Sequence, residues 1–190
     1  MIGYEQALLI CRSDPEAAAR QICDLSAHVE AQQRQIDLLR ATGAGSVNVS
    51  VGPGKVFPLA GAGAICDAVP DGGPLAGIAA GLRAAPPGLV LVLAVDMPRI
   101  GEGHLRRLVE LATAGCGVVP VWEGRCESLV AVYPAALASS AEAWLARGQS
   151  TPHAWVRSEA AQGRLKLWEA PAEWAEAWRS WNEPGDVLGS

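Results

Sequence analysis

Seven consecutive residues, Leu89-Val90-Leu91-Val92-Leu93-Ala94-Val95, are apolar at every position. A run of this length is far short of the roughly 20 residues a membrane-spanning helix needs. Its lack of alternation leaves no face for water, so a strand here demands cover on both sides. That is the place of a central strand in a parallel sheet with helices above and below. The run ends in Asp96-Met97-Pro98.

The flanking sequence alternates strand and helix signals. Ser46–Val51 sets valines against small polar residues, a strand pattern stopped by Gly52-Pro53-Gly54. A loop leads on to Asp67. Pro74 opens an Ala- and Gly-rich helix through Leu82, broken by Pro86-Pro87-Gly88. A helix around Leu105–Leu111 precedes strands at Gly117–Trp122 and Leu129–Tyr133. Helices near Ala135–Ala146 and Thr151–Ala161, a strand at Leu165–Trp168 and a last helix from Pro171 to Trp181 complete the chain. Upstream, Leu8-Leu9-Ile10 reads as a first strand, and Ser13-Asp14-Pro15-Glu16 as a capping box with proline in the first turn. Ile22, Leu25, Val29, Ile36 and Leu39 then share a helical face that ends at Gly43 and Gly45. The expectation is one α/β domain over residues 1–190: a doubly wound, mostly parallel, Rossmann-like sheet in a three-layer α/β/α sandwich.

Composition narrows the function. The chain has 190 residues, half of them apolar, and a formal net charge of −5. The apolar content excludes a disordered chain, and the acidic balance argues against nucleic acid as a partner. Glu5 interrupts the N-terminal apolar stretch and no basic segment precedes it, so neither a signal peptide nor a membrane role is expected. Five dispersed cysteines, with no C-x-x-C pair, read as reduced thiols of a cytoplasmic protein rather than a zinc site. His28, His104 and His153 form no ligand-like pair. Trp174, Trp178 and Trp181 make a helical stripe expected to pack on the core.

Two segments carry chemistry. Ligands of open α/β sheets sit at the carboxyl ends of the strands, and Asp96 stands there. A carboxylate so placed suits either a divalent cation shared with phosphates or a simple turn cap. Gly73-Pro74-Leu75-Ala76-Gly77-Ile78 joins a tight loop to a helix start, where exposed N–H groups and the positive helix end favour anions or a purine edge. Ordinary helix packing explains a lone glycine-rich turn equally well.

Taken together, Val69-Pro70-Asp71-Gly72-Gly73-Pro74-Leu75-Ala76-Gly77-Ile78 and Leu91-Val92-Leu93-Ala94-Val95-Asp96-Met97-Pro98 closely resemble the MobA-type molybdenum cofactor guanylyltransferase family. Arg125-Cys126-Glu127-Ser128-Leu129-Val130-Ala131-Val132-Tyr133, with Ser128 where the family usually has proline, and Asn182-Glu183-Pro184-Gly185-Asp186 resemble later family motifs in order. The resemblance runs from about residue 33 to 188. It implies GTP-dependent transfer of GMP to molybdopterin, with Mg²⁺, releasing pyrophosphate. By family position it makes Asp96 the catalytic Mg²⁺ ligand. Ser50, Asp67, Gly73, Pro74, Leu75 and Gly77 join Asp96 in nucleotide binding, and Arg125, Glu127 and Asn182 fall on the pterin side. A molybdoenzyme or its chaperone is the implied protein partner. Transfer of another nucleotide, such as CMP, keeps the same fold.

Residues 1–32 depart from the family. Its first strand leads into "LAGG.S.RMG.DK", whereas here Leu8–Ile10 leads into Cys11-Arg12-Ser13-Asp14-Pro15-Glu16, and no lysine precedes Lys55. Arginine does not simply replace lysine at a phosphate site. Three readings stay open: a homologue that binds without catalysis, an enzyme whose phosphate contacts lie elsewhere, or a misread frame over the first ~30 residues.

Overall fold

The computed structural model describes residues 29–51, 61–67, 69 and 72–178. In chain order these form α1 (29–41), β1 (Asn48–Val51), β2 (Gly63–Cys66), α2 (Gly73–Ala84) and β3 (Leu89–Leu93). There follow α3 (Glu102–Leu111), β4 (Gly117–Trp122), β5 (Arg125–Cys126) and β6 (Val130–Pro134). A 3₁₀ turn (Ala135–Leu137) leads into α4 (Ala138–Leu145), α5 (Pro152–Ala161), β7 (Leu165–Glu169) and a closing 3₁₀ segment (Ala172–Trp178). The expected first strand and capping box, and Trp181 and Asn182, lie outside the described residues. None of the described helices is long and apolar enough to cross a membrane.

The strands form two sheets. β1 and β2 pair in parallel, Asn48 opposite Gly63 through Val51 opposite Cys66. The larger sheet runs β3-β6-β4-β5, with β7 parallel to β4. β3 and β4 both run antiparallel to β6. β3, β4 and β7 therefore point one way and β5 and β6 the other: the fold is α/β as expected, but the larger sheet is mixed rather than mostly parallel.

Among the described residues the central-strand reading of Leu89–Val95 is not met: β3 is bonded along one edge only, by β6. The strand stops at Leu93, and its residues are exposed or half-exposed. The strands sealed on both faces are β4 and β6. An apolar pattern reports what covers the two faces of a strand and not whether both of its edges are paired. On its faces β3 behaves as read: Val90 and Val92 pack against one core cluster, and Leu91 and Leu93 against the other.

α2 begins with Pro74 near its N-terminus, where the missing N–H costs nothing, and ends on Arg83-Ala84, with cation and helix dipole matched. Leu75, Ala76, Ile78, Ala79 and Leu82 recur at helical spacing and are all buried. With Tyr133, Val119, Trp155 and Val156 they form the core on that side of the sheet. The opposite core holds Leu105, Leu108, Val118, Val132 and Trp174. Trp174 lies 4.5 Å from His104 and 5.1 Å from Trp168, ring to ring, in edge-on contacts. Of the expected tryptophan stripe, Trp174 is core and Trp178 packs against it, though on a 3₁₀ segment. His104 also packs there and accepts the Gly101 N–H at 2.9 Å through Nδ1, which caps α3. Burial pushes its pKa down.

Candidate functional site

The carboxyl ends of β1 and β2 and the first half of α2 bring together residues far apart in sequence. Ser50 is the third residue of β1, and Asp67 follows β2 directly. Parallel pairing of Ser50 with Ile65 sets the two side by side, and the Asp67 N–H donates to the Val51 carbonyl at 3.1 Å. The Ser50 hydroxyl donates to Asp67 Oδ1. Gly77, in the first half of α2, faces this pair: a Cβ there would stand 3.1 Å from Ser50 Oγ and 3.9 Å from Asp67 Oδ1. Three residues separated by 17 and 10 positions therefore form one small polar surface floored by a glycine.

The turn after β3 presents Asp96. Its carboxylate is exposed and has no hydrogen bond or ion pair among the described residues. The backbone that carries it is well held. Gln35 of α1 donates through Nε2 to the Met97 carbonyl at 2.9 Å, the Ile100 N–H donates to the same carbonyl at 3.3 Å, and Met97 is buried. The Ala94 N–H donates to Leu129 O at 2.8 Å, which ties the start of this turn to the segment that enters β6. A carboxylate that is free itself but mounted on a braced turn is available to a cation or a donor.

Gly73 opens α2 with φ +62°, a left-handed conformation that favours glycine. Its missing Cβ would touch Ser150 at 3.2 Å. The Leu75 N–H donates to Ser150 O at 3.2 Å, and the Leu75 side chain is fully buried. Leu75 thus serves the core, and the helix-start N–H it was expected to offer is occupied within the chain. Pro74 is exposed and offers no N–H.

Arg125 is exposed on the short hairpin β4–β5. Its turn, Glu123-Gly124, has φ of 49° and 76°, the mirror-image turn that matches strand twist. Glu127 is half-buried; its N–H donates to Pro120 O at 2.8 Å, and burial pushes its carboxyl pKa up against the pull of Arg125. Ser128 is buried and its carbonyl accepts the Tyr133 hydroxyl at 2.8 Å. Glu127 sits two residues before the carbonyl that grips Ala94, so the Glu127 loop and the Asp96 turn border one another.

The structure thus joins Ser50, Asp67 and Gly77 directly, and it sets the Asp96 turn beside the Glu127 loop at the end of β3 in the larger sheet. Among the described residues no three His, Cys, Asp or Glu side chains cluster as a metal cage. Sequence reading missed β2, the element that delivers Asp67. Gly63-Ala64-Ile65-Cys66 has little β-branched content and no alternation, and only its pairing with β1 makes it a strand.

Comparison with known proteins bears on the family and the fold. The MobA-like NTP transferase domain family matches residues 28–163. The chain is 33% identical over 159 residues to an Opitutus terrae protein named probable molybdenum cofactor guanylyltransferase, covering 81% of this chain and 78% of the relative. An Aquifex aeolicus protein shares the fold with a TM-score of 0.70 at 17% identity, over 86% of this chain and 84% of that one. The 2-C-methyl-D-erythritol 4-phosphate cytidylyltransferase of Thermus thermophilus does so with a TM-score of 0.59 at 21% identity, over 80% and 85%. On the family match and the relative's identity, the chain belongs to the MobA-like NTP transferase family.

Proposed function

We propose that this protein transfers GMP from GTP to molybdopterin carrying molybdenum and releases pyrophosphate. The observation that carries this reading is the convergence of Ser50, Asp67 and Gly77 into one polar surface. The Opitutus relative's name supplies the substrate class. A glycine floor admits a flat ring against the backbone, and the Asp67 carboxylate is an acceptor suited to the amino and ring N–H groups of a guanine. In the reaction a phosphate oxygen of the pterin attacks the α-phosphorus of GTP. The new P–O bond forms as the bond from the α-phosphorus to the β-phosphate bridging oxygen breaks, and pyrophosphate leaves.

The donor at the end of β3 fits Mg²⁺: one exposed carboxylate, Asp96, without a partner among the described residues, is the kind of ligand that cation takes alongside phosphates and water. When bound there it offsets phosphate charge and aligns the groups that react. The remaining work falls to the chain itself. α1 holds the Asp96 turn through Gln35, β1 and β2 present Ser50 and Asp67, and Arg125 and Glu127 are the described residues assigned to the pterin.

A second reading is favoured by one feature: Cys11–Arg20 contains neither glycine nor lysine where the family places its phosphate loop. On that reading the protein binds the pterin cofactor, or a molybdoenzyme chaperone, without catalysis. Incubation of the full chain with GTP, Mg²⁺ and molybdopterin separates the two. Stoichiometric pyrophosphate and guanine dinucleotide, both lost in Asp96→Ala, support transfer. Pterin binding with no pyrophosphate above the Asp96→Ala level selects the second reading. Product formation with CTP but not GTP overturns the assignment of the base.

A further inference from the structure

α1 buries two glutamines. Gln32 and Gln35 lie one turn apart, 7% and 4% exposed, beside the buried Ala31 and Ile36. The Oε1 of each has no hydrogen-bond donor among the described residues. A buried acceptor left unmatched lowers stability, and folded proteins keep few of them.

For Gln35 the reason lies at the other end of its amide. Nε2 donates to the Met97 carbonyl at 2.9 Å, across 62 positions of sequence. The partner is an acceptor, so the amide nitrogen must face it, and the amide oxygen is turned to where no donor stands. One atom of the side chain is left unmatched so that the other can hold this carbonyl.

That carbonyl belongs to the residue directly after Asp96. The Ile100 N–H returns to the same oxygen at 3.3 Å, closing a turn with Pro98 at its second position. Met97 and Ile100 are buried in the cluster that holds Leu105, Leu108 and Trp174. Apolar burial fixes where these two side chains sit but leaves the peptide plane between Met97 and Pro98 free to tip. The bond from Gln35 fixes the plane. Neighbouring Cα atoms are only ~3.8 Å apart across a trans peptide, so a tilt there passes straight to Asp96. The turn's other tie, the ion pair of Arg99 with Glu176, is exposed, and exposed pairs hold little.

We propose that Gln35 is a positioning residue: it fixes the turn so that the Asp96 carboxylate meets a divalent cation, and its buried amide is retained at the expense of stability. The inference rests on the nucleotide reading above. Mg²⁺ demands near-octahedral ligands at ~2.0–2.1 Å, so a lone carboxylate from the chain must be well placed. Removing the hydrogen-bond partners that orient a metal site weakens metal binding by about 10–100-fold.

Gln35→Met tests it. Methionine keeps the length of the side chain, lacks the donor and removes the unmatched amide oxygen, while the Met97 carbonyl keeps the Ile100 N–H. Gln32→Met is the control, since Gln32 has no hydrogen bond to the turn among the described residues. Backbone ¹⁵N relaxation on the ligand-free full-length protein reads the turn, and calorimetric titration of GTP at stepped Mg²⁺ concentrations reads the cation. In Gln35→Met the order parameters of Asp96, Met97 and Arg99 fall by about 0.1 or more while those of β4 and β6 hold. The Mg²⁺ concentration for half-maximal GTP binding rises about tenfold, and GTP affinity at saturating Mg²⁺ stays within about twofold of wild type. Tm falls by no more than about 4 °C. Gln32→Met leaves the turn and the Mg²⁺ requirement as in wild type.

An unchanged turn or an unchanged Mg²⁺ requirement in folded Gln35→Met overturns the proposal. So does an equal effect of Gln32→Met, and so does a larger loss of Tm, which makes Gln35 a residue of the fold alone. A wild-type protein that binds no GTP at any Mg²⁺ concentration fails the nucleotide reading instead, and the ligand-free order parameters then decide by themselves whether Gln35 fixes the turn.

Discussion

Gly77→Ala separates a glycine kept for the fold from one kept for a ligand. Gly77 lies within α2, where alanine is favoured over glycine by about 1 kcal/mol. The added methyl meets Ser50 Oγ at 3.1 Å, a few tenths of an ångström inside ordinary contact, and Ser50 is exposed on β1 and has room to shift. The two effects nearly cancel, so stability should stay within about 1 kcal/mol of wild type, a Tm change of roughly 2–4 °C for a domain of this size. If a guanine ring lies against this backbone, the methyl occupies its space, and GTP affinity should fall about tenfold or more, ~1.4 kcal/mol. Gly81→Ala is the control, one turn along α2, with nothing within 4 Å of its added Cβ. It should raise Tm and leave affinity unchanged. Thermal unfolding and calorimetric titration of both variants check this. A stable Gly77→Ala protein with wild-type GTP affinity refutes the reasoning, because the Ser50–Asp67–Gly77 surface is then not where the base lies.

Other consequences concern the scaffold. Glu159 is fully buried, accepts from the Ser140 hydroxyl at 2.5 Å and pairs with Arg164 at 2.6 Å. Glu159→Ala should cost about 2–3 kcal/mol in chemical denaturation, below the range for a fully buried pair because Arg164 is part-exposed; a loss under 0.5 kcal/mol contradicts the role. Glu123 is a non-glycine residue at positive φ in the β4–β5 turn, so Glu123→Asn should raise stability by a few tenths to about 1 kcal/mol. His104 is held neutral by burial, its pKa below the usual value. A basic group with a lowered folded-state pKa contributes stability that is complete above about pH 6.5 and is lost as pH falls through its folded value. Between pH 7 and pH 5, His104→Gln should therefore lose stability less steeply than wild type, as read by denaturant midpoints at each pH.

Much of this architecture is legible in residues whose local signal and tertiary role agree. Pro74 and the spacing of Leu75, Ile78, Ala79 and Leu82 announce α2 and its buried face. The alternating valines announce β1, and Asp96 falls in the turn after β3 as the end of the apolar run suggests. What stays hidden depends on partners. Leu89–Leu93 shows two apolar faces but cannot show that its described neighbour is antiparallel, because Val130–Pro134 is just as apolar in either direction. Gly63–Cys66 becomes a strand only through its register with β1. The meeting of Ser50 with Asp67, 17 residues on, follows from that register and from no spacing rule. The described part of the closing segment keeps Trp174 and Trp178 against the core yet winds as 3₁₀ over Ala172–Trp178 rather than as a regular α-helix.

The most direct test of the central claim is calorimetric titration of GTP into the full-length protein and into Asp96→Ala, each with and without Mg²⁺. The account predicts micromolar binding to the wild type that requires Mg²⁺ and is lost in Asp96→Ala, with both proteins unfolding at similar temperatures. Mg²⁺-independent binding that survives in Asp96→Ala, or no binding by a folded wild-type protein, contradicts it.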